Sequence, residues 1–197
     1  AMHPILKRNL YFVKEHIGAF KAANNYDILD PETQDIILTC REEQMGIFTK
    51  IARFTDYKTM TPFHIEVKTP EGEPVLAVKR GFTFFRSKVE ILNEKGDLVG
   101  LLRQRMLSIG GKFDVLDPSG NFLCTLQGKW TSWEFKFVRE KEEYAQISKK
   151  WAGLAKELFT TADNYVIDID EKVPADSPLR TLILGAVLCI DMVLKED

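Results

Sequence analysis

The chain has few of the residues that usually signal catalysis. Its three cysteines, Cys40, Cys124 and Cys189, are odd in number, widely spaced and each set among apolar neighbours. That pattern argues against a disulfide framework and fits reduced core thiols in a cytoplasmic protein. The three histidines, His3, His16 and His64, have no partner at metal-ligand spacing, and no HExxH, CxxC or GxSxG segment occurs. Gly110-Gly111 reads as a turn or bulge rather than a phosphate loop. Charge of one sign is also missing. Lys and Arg number 27 against 29 Asp and Glu, and a net charge of −2 attracts neither nucleic acid nor an anionic membrane except through a local patch. The first thirteen residues carry charge and no continuous apolar segment, so no signal peptide is expected. The expectation is a non-enzymatic protein.

Long hydrophobic runs are absent with one partial exception. From Leu182 to Leu194 every position is apolar except Gly185 and Asp191. A helix with no polar stripe has to be buried. Ser177 is a suitable N-cap and Pro178 suits the first helical position. The uncharged part falls well short of the ~20 residues that a bilayer core requires, so no transmembrane span is expected. Asp191 inside the run has to be paired or protonated, and is read as a structural residue fixing the helix in register.

The chain before this helix is filled with hairpins. Tyr26–Asp30, His64–Lys68, Val89–Leu92 and Phe113–Leu116 are apolar-alternating stretches, each followed by a turn and a second apolar stretch. The turns combine Pro, which presets φ, Asp or Asn, which bonds to its own backbone, and Gly, which accepts positive φ. Thr69, Asn93 and Asp117 stand 24 residues apart, giving one hairpin per period. Such spacing predicts a sandwich or barrel rather than βαβ units. Leu10–Val13, 17–22, Trp130–Val138 and Tyr165–Ile169 read as further strands, and Gln44–Phe54 as a short helix. Residues 140–143 fit either a hairpin tip or a helix start, and 140–159 fit either strand or helix. A mainly β, closed antiparallel barrel of about twelve strands, threaded by a helix over Leu179–Leu194, accommodates all of this in a single domain.

Three segments carry a resemblance. They are Ile147-Ser148-Lys149-Lys150-Trp151-Ala152-Gly153-Leu154, then Phe159-Thr160-Thr161-Ala162-Asp163-Asn164-Tyr165, and then Leu182–Leu194. Together they resemble the C-terminal half of the phospholipid scramblases. The N-terminal hairpins are similar to the LURP-one-related proteins, which share with Tubby domains a twelve-stranded barrel around a hydrophobic helix. The resemblance implies that barrel, and a strand over Tyr144–Lys150. It implies a lipid- or phosphoinositide-associated binding protein, with a scaffold without lipid activity as the alternative and a phospholipid scramblase as a third reading. Anionic headgroups at the inner face of the membrane are the expected partners, and Lys79, Arg80, Arg103, Arg105, Lys149 and Lys150 the candidate contacts. The calcium segment of scramblases falls on Thr161 to Lys172. Asp163 and Asn164 match it, while Thr161 and Lys172 stand where the family has acids. Asp168 and Asp170 are the available substitutes. Calcium takes six to eight oxygens, several from carboxylates, so no cofactor is expected.

Overall fold

The computed structural model describes residues 2–15, 25–42, 62–81, 88–105, 112–129, 134–148 and 164–188. Twelve strands form a closed antiparallel barrel in which each strand pairs with its neighbours in sequence. They are β1 (Leu10–Glu15), β2 (Tyr26–Leu29), β3 (Ile36–Glu42), β4 (Phe63–Lys68), β5 (Pro74–Arg80) and β6 (Lys88–Asn93). The second half continues with β7 (Leu98–Gln104), β8 (Phe113–Leu116), β9 (Phe122–Lys129), β10 (Glu134–Arg139), β11 (Glu142–Ser148) and β12 (Tyr165–Ile169). β1 closes the ring against β12, with Leu10 opposite Asp168 and Val13 opposite Tyr165. The expected barrel is therefore present, and the charged stretch at 140–143 is a hairpin tip, with Glu140 and Lys141 as the turn and Glu142 and Glu143 opening β11.

The 24-residue period has a structural cause. At each repeat one side chain or backbone group organises the turn in the same way. The amides of Gly72, Gly96 and Gly120 donate to the carbonyls of Thr69, Asn93 and Asp117 at 2.9–3.0 Å. The amides of Thr69, Asn93 and Asp117 in turn donate to Glu73, Asp97 and Asn121. The three glycines have φ of +94°, +84° and +87°, a region L side chains avoid, so glycine is needed there. A register shift precedes each turn, at Val67/Lys68, Ile91/Leu92 and Val115/Leu116, the mark of a bulged hairpin. The first hairpin achieves its reversal with Gln34 at φ +64° and with Asp30, whose carboxylate accepts from the Glu32 and Thr33 amides. Arg8, helped by those amides, holds the Asp30 carboxyl down at about 2.

These tight turns collect at one end of the barrel, and the helix enters there. α1 (Pro178–Val187) starts at Ser177, whose hydroxyl accepts from the Leu179 amide, and Leu188 is its C-cap. Every residue from Arg180 to Leu188 is buried. The helix packs against β5, β6 and β7, and the Tyr165 hydroxyl of β12 donates to the Val187 carbonyl near its far end. Residues expected to carry the helix on to Leu194, with Cys189 and the register residue Asp191, lie outside the described residues, as do 17–22 and Gln44–Phe54.

Close approach of helix and wall depends on Gly100 of β7. A Cβ built there would sit 2.4 Å from the Leu116 carbonyl oxygen and 2.7 Å from Leu182 Cδ2. The nearer obstacle is backbone, so the wall itself has to move. Gly100→Ala should therefore cost about 3 kcal/mol, the upper range for overpacking. The measurement is the urea midpoint, and an unshifted midpoint would mean that helix and wall part without cost.

Candidate functional site

The end of the barrel opposite the tight turns carries the basic residues. In a strand, neighbouring side chains point to opposite faces. Lys79 is accordingly exposed on the outer face, while Arg80 turns in and is 4% exposed, its guanidinium 4.8 Å above the Phe63 ring. The adjacent pair read from the sequence is thus divided between two faces. Arg103 and Arg105, two residues apart, share the outer face. Arg105 is committed: it donates to Asp114 Oδ1 at 2.6 Å and to the Thr125 hydroxyl at 3.1 Å.

Register adds a residue that the sequence reading did not single out. Lys88, at the start of β6, lies directly across from Arg103 of β7. Like charges directly opposite on a sheet are unfavourable, and neither cation has an ion pair among the described residues. On the other side of β6, Lys79 faces Glu90, with Nζ 3.6 Å from Oε2, and His64 of β4 faces Lys79. A shallow cavity of about 340 Å³ runs across this corner, between Phe63, His64, Lys79, Arg80, Lys88 and Glu90. Around this corner the outer face thus brings together the cations Lys79, Lys88, Arg103 and Arg105, with Glu90 beside Lys79 and Asp114 bound by Arg105. The signal for Lys88 was available, because the bulged hairpin at Asn93–Asp97 fixes its partner. Lys149 and Lys150 follow β11 and lie outside the described residues.

The calcium segment yields less. Asn164 is 4% exposed, and Asp163 is outside the described residues. Burial, with the charges of Asp170 and Glu143 nearby, raises the Asp168 carboxyl above its ordinary range. Asp170 accepts from the Lys172 amide at 2.9 Å, capping its own turn. Among the described residues no three His, Cys, Asp or Glu side chains converge in a way that could hold a metal ion. The Cys40 and Cys124 thiols are buried and reduced, and burial pushes Cys124 up to about 12. That leaves it without appreciable thiolate at neutral pH. No described helix is long and apolar enough to cross a membrane.

Comparison with known proteins adds the following. The family described as Scramblase matches residues 5–197. Phospholipid scramblase 2 of Bos taurus is 30% identical over 132 residues, covering 67% of this chain and 39% of its own length. Phospholipid scramblase 1 of Homo sapiens is 29% identical over 133 residues, 68% of this chain and 36% of its own. Altered inheritance rate of mitochondria protein 25 of Saccharomyces cerevisiae is 23% identical over 213 residues, 95% of this chain and 64% of its own. The alignments with the two phospholipid scramblases thus span under two-fifths of those relatives' own length. No solved structure matches.

Proposed function

Because the chain belongs to the scramblase family, we propose that it is a non-enzymatic protein that binds anionic phospholipid headgroups through the outer face formed by Lys79, Lys88 and Arg103. The observation that carries this reading is the unpaired Lys88 opposite Arg103. A sheet gains nothing from that juxtaposition, whereas a phosphate placed between the two cations would relieve their repulsion. Arg80 lines the same corner, held over Phe63 and so less free to move. Calcium has no part in the proposal.

Binding is favoured over lipid transport for two reasons. α1 fills the barrel interior. The outward positions of β4 and β5 include His64, Glu66, Lys68 and Lys79, unlike the apolar outer band of a barrel that crosses a bilayer.

Vesicle flotation tests the proposal. The full chain should float with phosphatidylserine- or phosphoinositide-containing vesicles and not with phosphatidylcholine alone, with or without a calcium chelator. Raising salt should release it, since exposed charges are screened over about 8 Å at physiological ionic strength. Each cation near an anionic surface is worth about 1 kcal/mol, so replacing Lys79, Lys88 and Arg103 by Gln should weaken binding on the order of 100-fold. Equal flotation of the variant, or of the wild type on neutral vesicles, would refute the assignment. Failure of the wild type to float at all would leave the scaffold reading in its place.

A further inference from the structure

The opposite end of the barrel holds a larger space. A cavity of about 620 Å³ opens between the tight turns and the first turn of α1. That volume lies within the range of about 300–1,000 Å³ typical of small-molecule sites. Its inner surface is aliphatic, formed by Leu179 and Leu182 of α1 with Val75, Leu98 and Leu123 of the wall. Tyr144 is the single aromatic side chain among the described residues of the lining, too little for a stacking platform, so an extended alkyl chain suits the space better than a flat polar ring.

The mouth has a different character. Glu94, Asp97 and Asp176 stand around it, and none has an ion pair among the described residues. Asp117, also at the mouth, uses its carboxylate on the amides of Ser119 and Asn121. The cations there are Lys95 and Arg139, and the Arg139 guanidinium lies over the Phe122 ring, 5.9 Å from its centroid. The helix start offers an anion little, because Pro178 has no amide hydrogen and the Leu179 amide already donates to Ser177. Both observations favour a positively charged head.

We infer that this cavity binds a single-chain amphiphile, its alkyl tail against Leu98, Leu123 and Leu182 and its ammonium-bearing head among Glu94, Asp97 and Asp176. The site is separate from the basic face, lies at the other end of the barrel, and does not depend on the headgroup proposal.

The test uses the full chain with methyl-labelled Leu and Val and three probes of equal chain length below their micelle concentrations: dodecyltrimethylammonium, dodecyl maltoside and dodecanoate. The expected result is saturable shifts at the Leu98, Leu123, Leu179 and Leu182 methyls, with dodecyltrimethylammonium at least tenfold tighter than dodecanoate. Glu94→Lys with Asp97→Lys should abolish that preference while the maltoside still binds. Leu123→Trp, which fills the space, should abolish all three while leaving vesicle flotation intact. Should that variant not fold, Val99→Trp at the same cavity serves instead. Shifts scattered over the surface, equal affinity for cation and anion, or undiminished binding by the Trp variant would overturn the inference.

Discussion

Replacing Arg180 by Ala should remove about 4 kcal/mol of stability, a large share of the roughly 5–15 kcal/mol that folded domains have. Arg180 is 3% exposed, and its guanidinium has no carboxylate partner among the described residues. It is satisfied by carbonyls instead. Nε donates to Pro174, one terminal nitrogen to Arg8 and Lys7, and the other to Val173 and to the Asn9 side chain, at 2.7–3.4 Å. One helical residue thus fastens the segment leading into β1 and the loop leaving β12 to the start of α1. Removing it leaves several buried acceptors unpaired at roughly 1–3 kcal/mol each, partly offset where water enters. Lysine, a point donor on a flexible stem, cannot replace a planar fork with five N–H groups, so Arg180→Lys should recover less than half of the loss. Urea denaturation reads both. A loss below 1 kcal/mol for the alanine variant would show that the carbonyl cage is not needed.

A chain ending at Ala175 should not fold cooperatively. Leu182, Ile183, Leu184, Val187 and Leu188 are each no more than 1% exposed. At about 2 kcal/mol per side chain their burial contributes on the order of 10 kcal/mol, comparable to the whole net stability of a domain. The remaining wall would enclose a void lined by Ile65, Val78, Ile91 and Leu102, all fully buried in the intact protein. The expected product is aggregated or molten, with no sigmoidal urea transition and no dispersed methyl spectrum. A soluble monomer with a cooperative transition would contradict the view that the barrel is built around α1.

Much of this architecture could be read from the sequence because local chemistry dictates it. Thr69, Asn93 and Asp117 each organise a turn with groups no more than four residues away, so their period translates directly into three equivalent hairpins. The buried helix was equally legible, since an all-apolar run admits few other placements. The site was legible only in part. Lys79 and Arg80 are neighbours in sequence but occupy opposite faces, a consequence of pleating that a cluster of letters does not display. Lys88 and Arg103 are 15 residues apart and meet only through register. Arg180 was hidden for a different reason: its partners at positions 7–9 and 173–174 are brought together by closure of the ring, which no local pattern encodes.

That closure has a consequence for how the protein is made. The last seam of the barrel joins Leu10 to Asp168, and the helix that fills the interior follows still later in the chain. During synthesis the growing sheet has two open edges and an uncovered apolar concave face until β12 and α1 have both emerged. Contacts of such sequence separation are slow to form, and unpaired edges invite association with other chains. Closure of the barrel therefore waits for its last strand and its helix, and β1 needs shielding for as long as its partner β12 is missing.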